Sequence, residues 1–281
     1  TVNSSFKVSA RQAKKRLGQH FLRDRQIISR IIDLAAPKLG ESVLEIGPGE
    51  GVLTAALLEA GARVVAVEAD RDLWEPLEQR FSPVSEAGFS LQRGDFLKTD
   101  LDKIIAESQN LSAPVAVIAN IPYQITTPIL FRLIKYRHLF SRAILMMQEE
   151  VAARLVAEPG SRDYGRLTVG VGLYCDIDSG FKVSPNAFSP KPKVWSRVVR
   201  FEFREQPRFP VADPAFLERL VFTLFSQRRK QIINPLKGMM THLTREELSE
   251  KLVAAGFSPS DRPATLPPAE LVRLSDCLAA W

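Results

Sequence analysis

The sequence is poor in the residues that build disulfide and metal chemistry. Only two cysteines, Cys175 and Cys277, occur in 281 residues. They are too few and too far apart for a disulfide-rich scaffold or a thiolate cluster, so a reducing compartment is the simplest setting. Both read as small buried hydrophobes. The three histidines, His20, His138 and His242, are widely separated and form no ligand motif with either cysteine, and no metal is expected. Long apolar runs are missing as well. Nothing approaches the roughly 18 residues of a membrane span, and the polar, basic first 23 residues carry no hydrophobic region ahead of a small-residue cleavage site. These absences predict a soluble, cytoplasmic protein with no membrane partner. There is no internal repeat or low-complexity tract.

What is present suits a catalytic domain with a smaller companion. Hydrophobic residues make up 45% of the chain and charged residues 25%, enough apolar content for a sizeable core at this length. Thirty-eight Lys and Arg against 32 Asp and Glu leave a net charge of +6, which permits an anionic partner without demanding one. Distribution is more informative. Residues 1–23, 182–201 and 226–240 contain no acid and together carry 15 of the 38 basic groups, a pattern suited to phosphate contacts on structured RNA. Arg228, Arg229 and Lys230 are candidate contacts within the third tract.

Hydrophobic periodicity sketches the organisation. Ile27, Ile28, Ile31, Ile32 and Ala35 recur at helical spacing between Asp24 and Lys38, with Pro37 and Gly40 as a stop. Strand-like runs over 42–46, 63–68, 89–93, 114–119 and 142–148 alternate with helical stretches over 52–60, 73–80, 101–107 and 127–136. Strands with little polar alternation, joined by helices, imply a mostly parallel sheet covered on both faces. After a segment over 149–158, the runs 167–175, 180–183 and 194–203 suit an antiparallel edge on that sheet. Helices are expected over 214–226, 246–255 and 268–279, beyond a linker at Gln206-Pro207-Arg208-Phe209-Pro210. The expected division is 1–205 for an α/β catalytic domain with a basic N-terminal arm and 206–281 for a small helical unit that docks RNA.

Gly47-Pro48-Gly49-Glu50-Gly51 falls between a strand and a helix, where missing side chains let a ligand approach the backbone and the helix start offers unpaired N–H groups. A dinucleotide fingerprint needs a third glycine at the position of Val52, and no Gly-Lys-Ser or Gly-Lys-Thr closes the run. A nucleoside without phosphates fits this turn better. Glu68, 21 residues after Gly47 and at the end of the next strand, is placed to accept from both ribose hydroxyls. Asp95, after the third strand, is placed to accept from an adenine amino group.

Asn120-Ile121-Pro122-Tyr123 follows the strand over 114–119, at the end where open α/β sheets bind ligands. The Asn120 amide oxygen, with the backbone carbonyl of Ile121 or Pro122, suits the hydrogens of an exocyclic amine and can hold its nitrogen lone pair toward an electrophilic methyl group. Tyr123 suits stacking on the same base. Proline restricts the loop, so these groups are preorganised.

With these motifs in order, the chain resembles the ribosomal RNA adenine dimethyltransferase family, in particular its small-subunit branch. The resemblance runs from Leu17-Gly18-Gln19-His20-Phe21-Leu22 through the glycine turn, Glu68, Asp95 and Asn120-Ile121-Pro122-Tyr123 to Phe188-Ser189-Pro190-Lys191-Pro192-Lys193-Val194 and the basic segment 226–230. It implies a Rossmann-like class I methyltransferase domain and S-adenosyl-L-methionine as cofactor. The implied reaction dimethylates N6 of two adjacent adenines in the 3′-terminal hairpin of 16S small-subunit ribosomal RNA, in an assembling small subunit, by a monomer. It also implies that Gly47 lines the methionine side of the cofactor, that Glu68 and Asp95 hold its ribose and adenine, and that Leu22 and Asn120 touch it. His20 stands where the family usually has asparagine and is included among the cofactor residues. By the same resemblance, Phe188 supplies the aromatic face opposite Tyr123, so that the two rings and Asn120 form the catalytic set. A large-subunit ribosomal RNA dimethyltransferase, a DNA adenine methyltransferase and an RNA-binding assembly factor with secondary methylation are the alternatives.

Overall fold

The computed structural model describes residues 19–84, 88–108 and 110–281, so the basic arm lies outside the described residues as far as position 18. In chain order the elements are β1 (Phe21–Leu22), α1 (Arg25–Ala35), β2 (Ser42–Ile46), α2 (Val52–Glu59), β3 (Arg63–Glu68), α3 (Arg71–Phe81), β4 (Phe89–Arg93), α4 (Leu101–Glu107), β5 (Val115–Asn120), α5 (Thr126–Lys135), β6 (Phe140–Gln148) and α6 (Glu149–Leu155). They continue with α7 (Arg166–Gly172), β7 (Cys175–Val183), β8 (Phe188–Ser189), β9 (Ser196–Phe203), α8 (Pro214–Ser226), α9 (Ile233–Met239), α10 (Arg245–Ala254) and α11 (Pro268–Ala279).

The described residues from Gln19 to Ala152 and Asp176–Phe203 form one compact unit, and Ala153–Cys175 with Arg204–Trp281 form another. This differs from a single cut near 205, because the chain from Ala153, within α6, to Cys175 belongs to the second unit and then returns to the first.

In the first unit a seven-stranded sheet has the order β4-β3-β2-β5-β6-β9-β7. The pairs β4/β3, β3/β2, β2/β5 and β5/β6 are parallel, and β9 runs antiparallel to β6. Every residue of β2 is buried, as expected of a strand covered on both faces. Helix α1 begins where the Asp24 carboxylate accepts from the backbone N–H groups of Gln26 and Ile27, supplying acceptors for donors that have no intrahelical partner. Its buried face presents Ile28, Ile31 and Ala35 to the core, each large apolar side chain stabilising the fold by about 1.5–3 kcal/mol. The Arg142 guanidinium grips both Glu41 carboxylate oxygens, at 2.6 and 2.9 Å, and the Ala35 carbonyl, tying the end of α1 to β6. The chain order reverses at β2 and β5, so their carboxyl ends open onto the crevice of the sheet.

The second unit is helical. Leu217, Leu220 and Leu224 of α8 share a core with Leu236 of α9, Leu248 and Leu252 of α10, and Leu271 and Leu274 of α11. Two expectations fail here. The run 167–175 alternates like a strand, yet 166–172 is helical. Thr168 Oγ1 accepts from the Gly165 N–H and donates to the Arg154 carbonyl, while Val169 and Leu173 enter the helical core. Tertiary packing thus overrides β-branched alternation. No element is expected over 233–239, yet that segment forms helix α9. Pro235 is the third helical residue, where its missing N–H has no partner to lose.

Candidate active site

A cleft at the carboxyl ends of β2, β3 and β5 brings together His20, Leu22, Gly47, Glu68, Asp95, Asn120 and Tyr123. It encloses roughly 1060 Å³ counting its open mouth, the scale of a small-molecule cleft. The glycine turn forms one wall. Gly47 has φ +66°, and a Cβ there would meet nothing within 4 Å, so the space above its backbone is open for a ligand that a side chain would displace. Gly49 has φ +59° and lies under the ring of Phe21, 3.1 Å from where its Cβ would be. The turn is therefore closed on one side by the chain's own β1 and open on the other.

Glu68 ends β3 and is 5% exposed. Its carboxylate accepts from the Asp70 N–H at 2.7 Å and the Gly49 N–H at 3.2 Å, which fixes it against the glycine turn. Burial raises its pKa, the two backbone donors oppose that, and the neighbouring Asp70 charge adds to it. Asp95 lines the same cleft, with one carboxylate oxygen accepting from the Leu97 N–H at 2.9 Å.

Sequence reasoning passed over Glu45. This residue of β2 is 1% exposed, lines the cleft, and accepts from Thr54 Oγ1 at 2.6 Å. Burial pushes its carboxyl up to about 8, assisted by the Glu68 charge and opposed by the Thr54 bond. The available signal was a glutamate inside an otherwise apolar strand directly before the glycines.

Glu50, Glu68 and Asp95 line the cleft beside Glu45, whose raised pKa keeps it protonated at neutral pH, and no Lys or Arg does so among the described residues. Such a wall repels phosphate and attracts cations. With the open space at Gly47, it fits S-adenosyl-L-methionine, which carries a sulfonium, an ammonium and a nucleoside but no phosphate.

Asn120 ends β5, the strand next to β2, and lines the same cleft. Its Nδ2 donates to the His20 backbone carbonyl at 3.0 Å, which turns Oδ1 into the acceptor left for a ligand. The Pro122 carbonyl already accepts from the Ile125 N–H at 3.1 Å and the Thr126 hydroxyl at 3.4 Å. Tyr123 Oη lies 2.6 Å from Ser196 Oγ at the start of β9, and burial raises its pKa despite that bond.

Phe188 is not brought to Tyr123. It is 3% exposed, pairs in register with Leu22, and sits in the hydrophobic core. The ring beside Tyr123 is that of His20, with centroids 5.4 Å apart and a 31° tilt. His20 Nδ1 also lies 2.8 Å from the Pro190 carbonyl, and must donate because that partner only accepts. The β1/β8 pairing explains the difference: it turns Phe188 into the core and leaves the Pro190 carbonyl to hold the histidine. Segment 19–23 is fastened elsewhere too, by Gln19 Nε2 to Asp70 at 2.8 Å and by the Arg23–Glu50 ion pair at 2.6 Å.

The parallel sheet, the glycine turn and the acidic nucleoside cleft define a class I S-adenosylmethionine-dependent methyltransferase. The chain belongs to the ribosomal RNA adenine dimethylase family, whose sequence profile matches residues 10–277. It is 41% identical over 268 residues to ribosomal RNA small subunit methyltransferase A of Pseudomonas putida, covering 95% of this chain and 96% of that one. To the protein of the same name from Geobacter metallireducens it is 42% identical over 269 residues, covering 96% of each. Among solved structures, a dimethyladenosine transferase from Plasmodium falciparum superposes with a TM-score of 0.76 at 27% identity, covering 91% of this chain and 96% of that one. The 23S rRNA methyltransferase ErmE superposes with a TM-score of 0.64 at 28% identity, covering 92% and 99%. No helix among the described residues is long and apolar enough to cross a membrane.

Proposed function

We propose that this protein, acting as a cytoplasmic monomer on an assembling small ribosomal subunit, converts two adjacent adenines in the 3′-terminal hairpin of 16S ribosomal RNA to N6,N6-dimethyladenine. The observation that carries the chemistry is the meeting of the acidic cleft with Asn120 and Tyr123 at one crevice. The substrate is supported by the small-subunit relatives at 41–42% identity over nearly the full chain.

Gly47 and Leu22 line the methionine side of the cofactor, Glu68 takes its ribose hydroxyls, and Asp95 takes its adenine amino group. His20 and Asn120 close the site near the transferred group. When bound, the cofactor supplies an electrophilic methyl carbon on a sulfonium, with a neutral thioether as leaving group. The protein's task is alignment. A flipped adenine stacks on Tyr123 and donates its N6 hydrogens to Asn120 Oδ1 and to a backbone carbonyl. Ile121 is the better backbone acceptor because the Pro122 carbonyl is already engaged by the Ile125 N–H. With both hydrogens held, the nitrogen lone pair faces the methyl group; each transfer releases one N6 proton to solvent, and in the second the single remaining hydrogen is the one held. Stacking worth about 1–3 kcal/mol offsets much of the few kcal/mol needed to extrude a base. Phe188 joins the aromatic set only by leaving its core position, with the His20 ring vacating the face of Tyr123. Arg228, Arg229 and Lys230 contact RNA phosphates from the second unit.

The test is to supply methyl-labelled cofactor with immature small-subunit particles, large-subunit particles, free RNA or DNA, and to map the labelled base. Dimethylation of two neighbouring adenines in the small subunit is expected. Label confined to large-subunit RNA or DNA would redirect the assignment, and tight binding without transfer would leave only an assembly role.

A further inference from the structure

The loop between β8 and β9 carries a row of exposed side chains that the methyl-transfer site does not use. Lys191, Lys193, Val194 and Trp195 face solvent, whereas Pro192 and Ser196 are buried between and beside them. Trp195 is 52% exposed and Val194 43%. A single exposed apolar side chain is ordinary. This row differs in being held rigidly at both ends and in abutting the target-base residues.

At one end, β8 pairs with β1 and the Pro190 carbonyl accepts from His20 Nδ1. At the other, the Trp195 carbonyl accepts from the Glu149 N–H at 2.9 Å. The next residue, Ser196, is the one whose hydroxyl meets Tyr123. Consecutive Cα atoms are about 3.8 Å apart, so the chain passes directly from the Tyr123 contact to the exposed indole. The neighbouring Glu149 carboxylate is engaged by Arg197 at 2.8 and 2.9 Å and by Lys182 at 3.2 Å, and residues 182–201 contain no acid. The row therefore presents an aromatic plane flanked by the basic side chains of Lys191 and Lys193.

We infer that Trp195, with Lys191 and Lys193, binds the single-stranded RNA flanking the extruded adenine, a neighbouring base stacking on the indole while the lysines meet its phosphates. The occupant follows from the chemistry: aromatic planes interleaved with basic side chains bind unpaired strands, because every base has a π-face and every nucleotide a phosphate. Two rigid anchors reduce the ordering cost of that contact. The inference rests on the RNA adenine methyltransferase function proposed above, and it adds a binding residue that touches neither cofactor nor reacting nitrogen.

The experiment compares the wild-type protein with Trp195→Ala, Trp195→Phe and the double variant Lys191→Ala/Lys193→Ala, using unmethylated small-subunit particles and labelled cofactor. Trp195→Ala should raise KM for the particle about tenfold, the scale of one lost base stack. It should leave kcat at saturation within about twofold. Cofactor titration and Tm should be unchanged, and Trp195→Phe should restore KM to within about threefold of wild type because it keeps an aromatic plane. The double lysine variant should reduce the salt slope of RNA affinity by about 1.4, from two lost phosphate contacts on a single strand. An unchanged KM in Trp195→Ala, with normal transfer by the wild type, overturns this inference alone. Failure of the wild type to label any adenine overturns the function and the inference together.

Discussion

The Asn120 side-chain amide donates to the backbone carbonyl of His20 across 100 residues of sequence. That bond selects the amide's orientation and couples the proposed base-binding motif at the end of β5 to the segment 19–23 that lines the same cleft. Asn120→Ala removes the acceptor, and Asn120→Asp sets a carboxylate against a carbonyl that can only accept. Both should lower methyl transfer by at least about 100-fold, as expected when a reacting group is misplaced by an ångström. Cofactor affinity should fall by less than about tenfold. Single-turnover label transfer at saturating RNA, beside a cofactor titration, separates the two effects; normal turnover in either variant would remove Asn120 from its role.

Glu68 is the proposed ribose acceptor and already holds the Gly49 and Asp70 N–H groups. Glu68→Ala should weaken cofactor binding about 10- to 100-fold, the scale of hydrogen bonds to a charged group, with a smaller effect on RNA binding. Isothermal titration checks this, and an unaltered cofactor Kd would reject the assignment.

For Tyr123, ring and hydroxyl separate cleanly. Tyr123→Phe loses the bond to Ser196 but keeps the stacking surface, so transfer should stay within about tenfold of wild type. Tyr123→Ala should lose a further tenfold or more, since base stacking is worth about 1–3 kcal/mol. Equal losses in both variants would assign the function to the hydroxyl instead.

Phe188 packs in the core opposite Leu22. Phe188→Ala should destabilise the fold by about 3–5 kcal/mol, while Phe188→Leu, which preserves much of the volume, should cost far less. Denaturant unfolding measures both. If Phe188→Leu folds normally yet loses RNA methylation, the ring does leave the core to meet the base.

Glu45 makes stability depend on pH. Its carboxyl is raised from 4.5 to about 8 by burial, so the folded state holds a proton that the unfolded chain has released. The resulting stabilisation is complete below about 4.5 and is lost as pH rises toward 8. Between pH 5 and 8 the wild type should lose on the order of a few kcal/mol that Glu45→Gln, neutral throughout and still able to accept from Thr54, retains. Thermal unfolding across this range should show the variant overtaking the wild type; parallel profiles would mean that Glu45 is ionised in the folded protein at neutral pH.

Much of the cleft was legible because its parts lie at strand ends. The runs before Gly47, Glu68 and Asn120 are apolar enough to mark parallel strands, and a parallel sheet brings the residues just beyond each strand to one edge. Helices α4, α8 and α11 match their expected limits, since periodicity and flanking residues agree there. Residues 166–172 and 233–239 depart from expectation for one reason: periodicity is a local signal, whereas both segments are held by packing and hydrogen bonds from outside them, Thr168 to the Arg154 carbonyl and the Ile232 and Ile233 N–H groups to the Asp261 and Pro259 carbonyls.

By itself, the sequence determined the class of chemistry. It places glycines, acids and an Asn-Ile-Pro-Tyr turn after successive strands, and it withholds the groups that would bind phosphate. Tertiary structure decided which atoms face the cleft. The pairing of β1 with β8 buries Phe188, sets His20 beside Tyr123 and orients the Asn120 amide. No local pattern encodes that arrangement, because its partners are 100 to 170 residues apart and meet only when β8, in the connection between β7 and β9, pairs with β1.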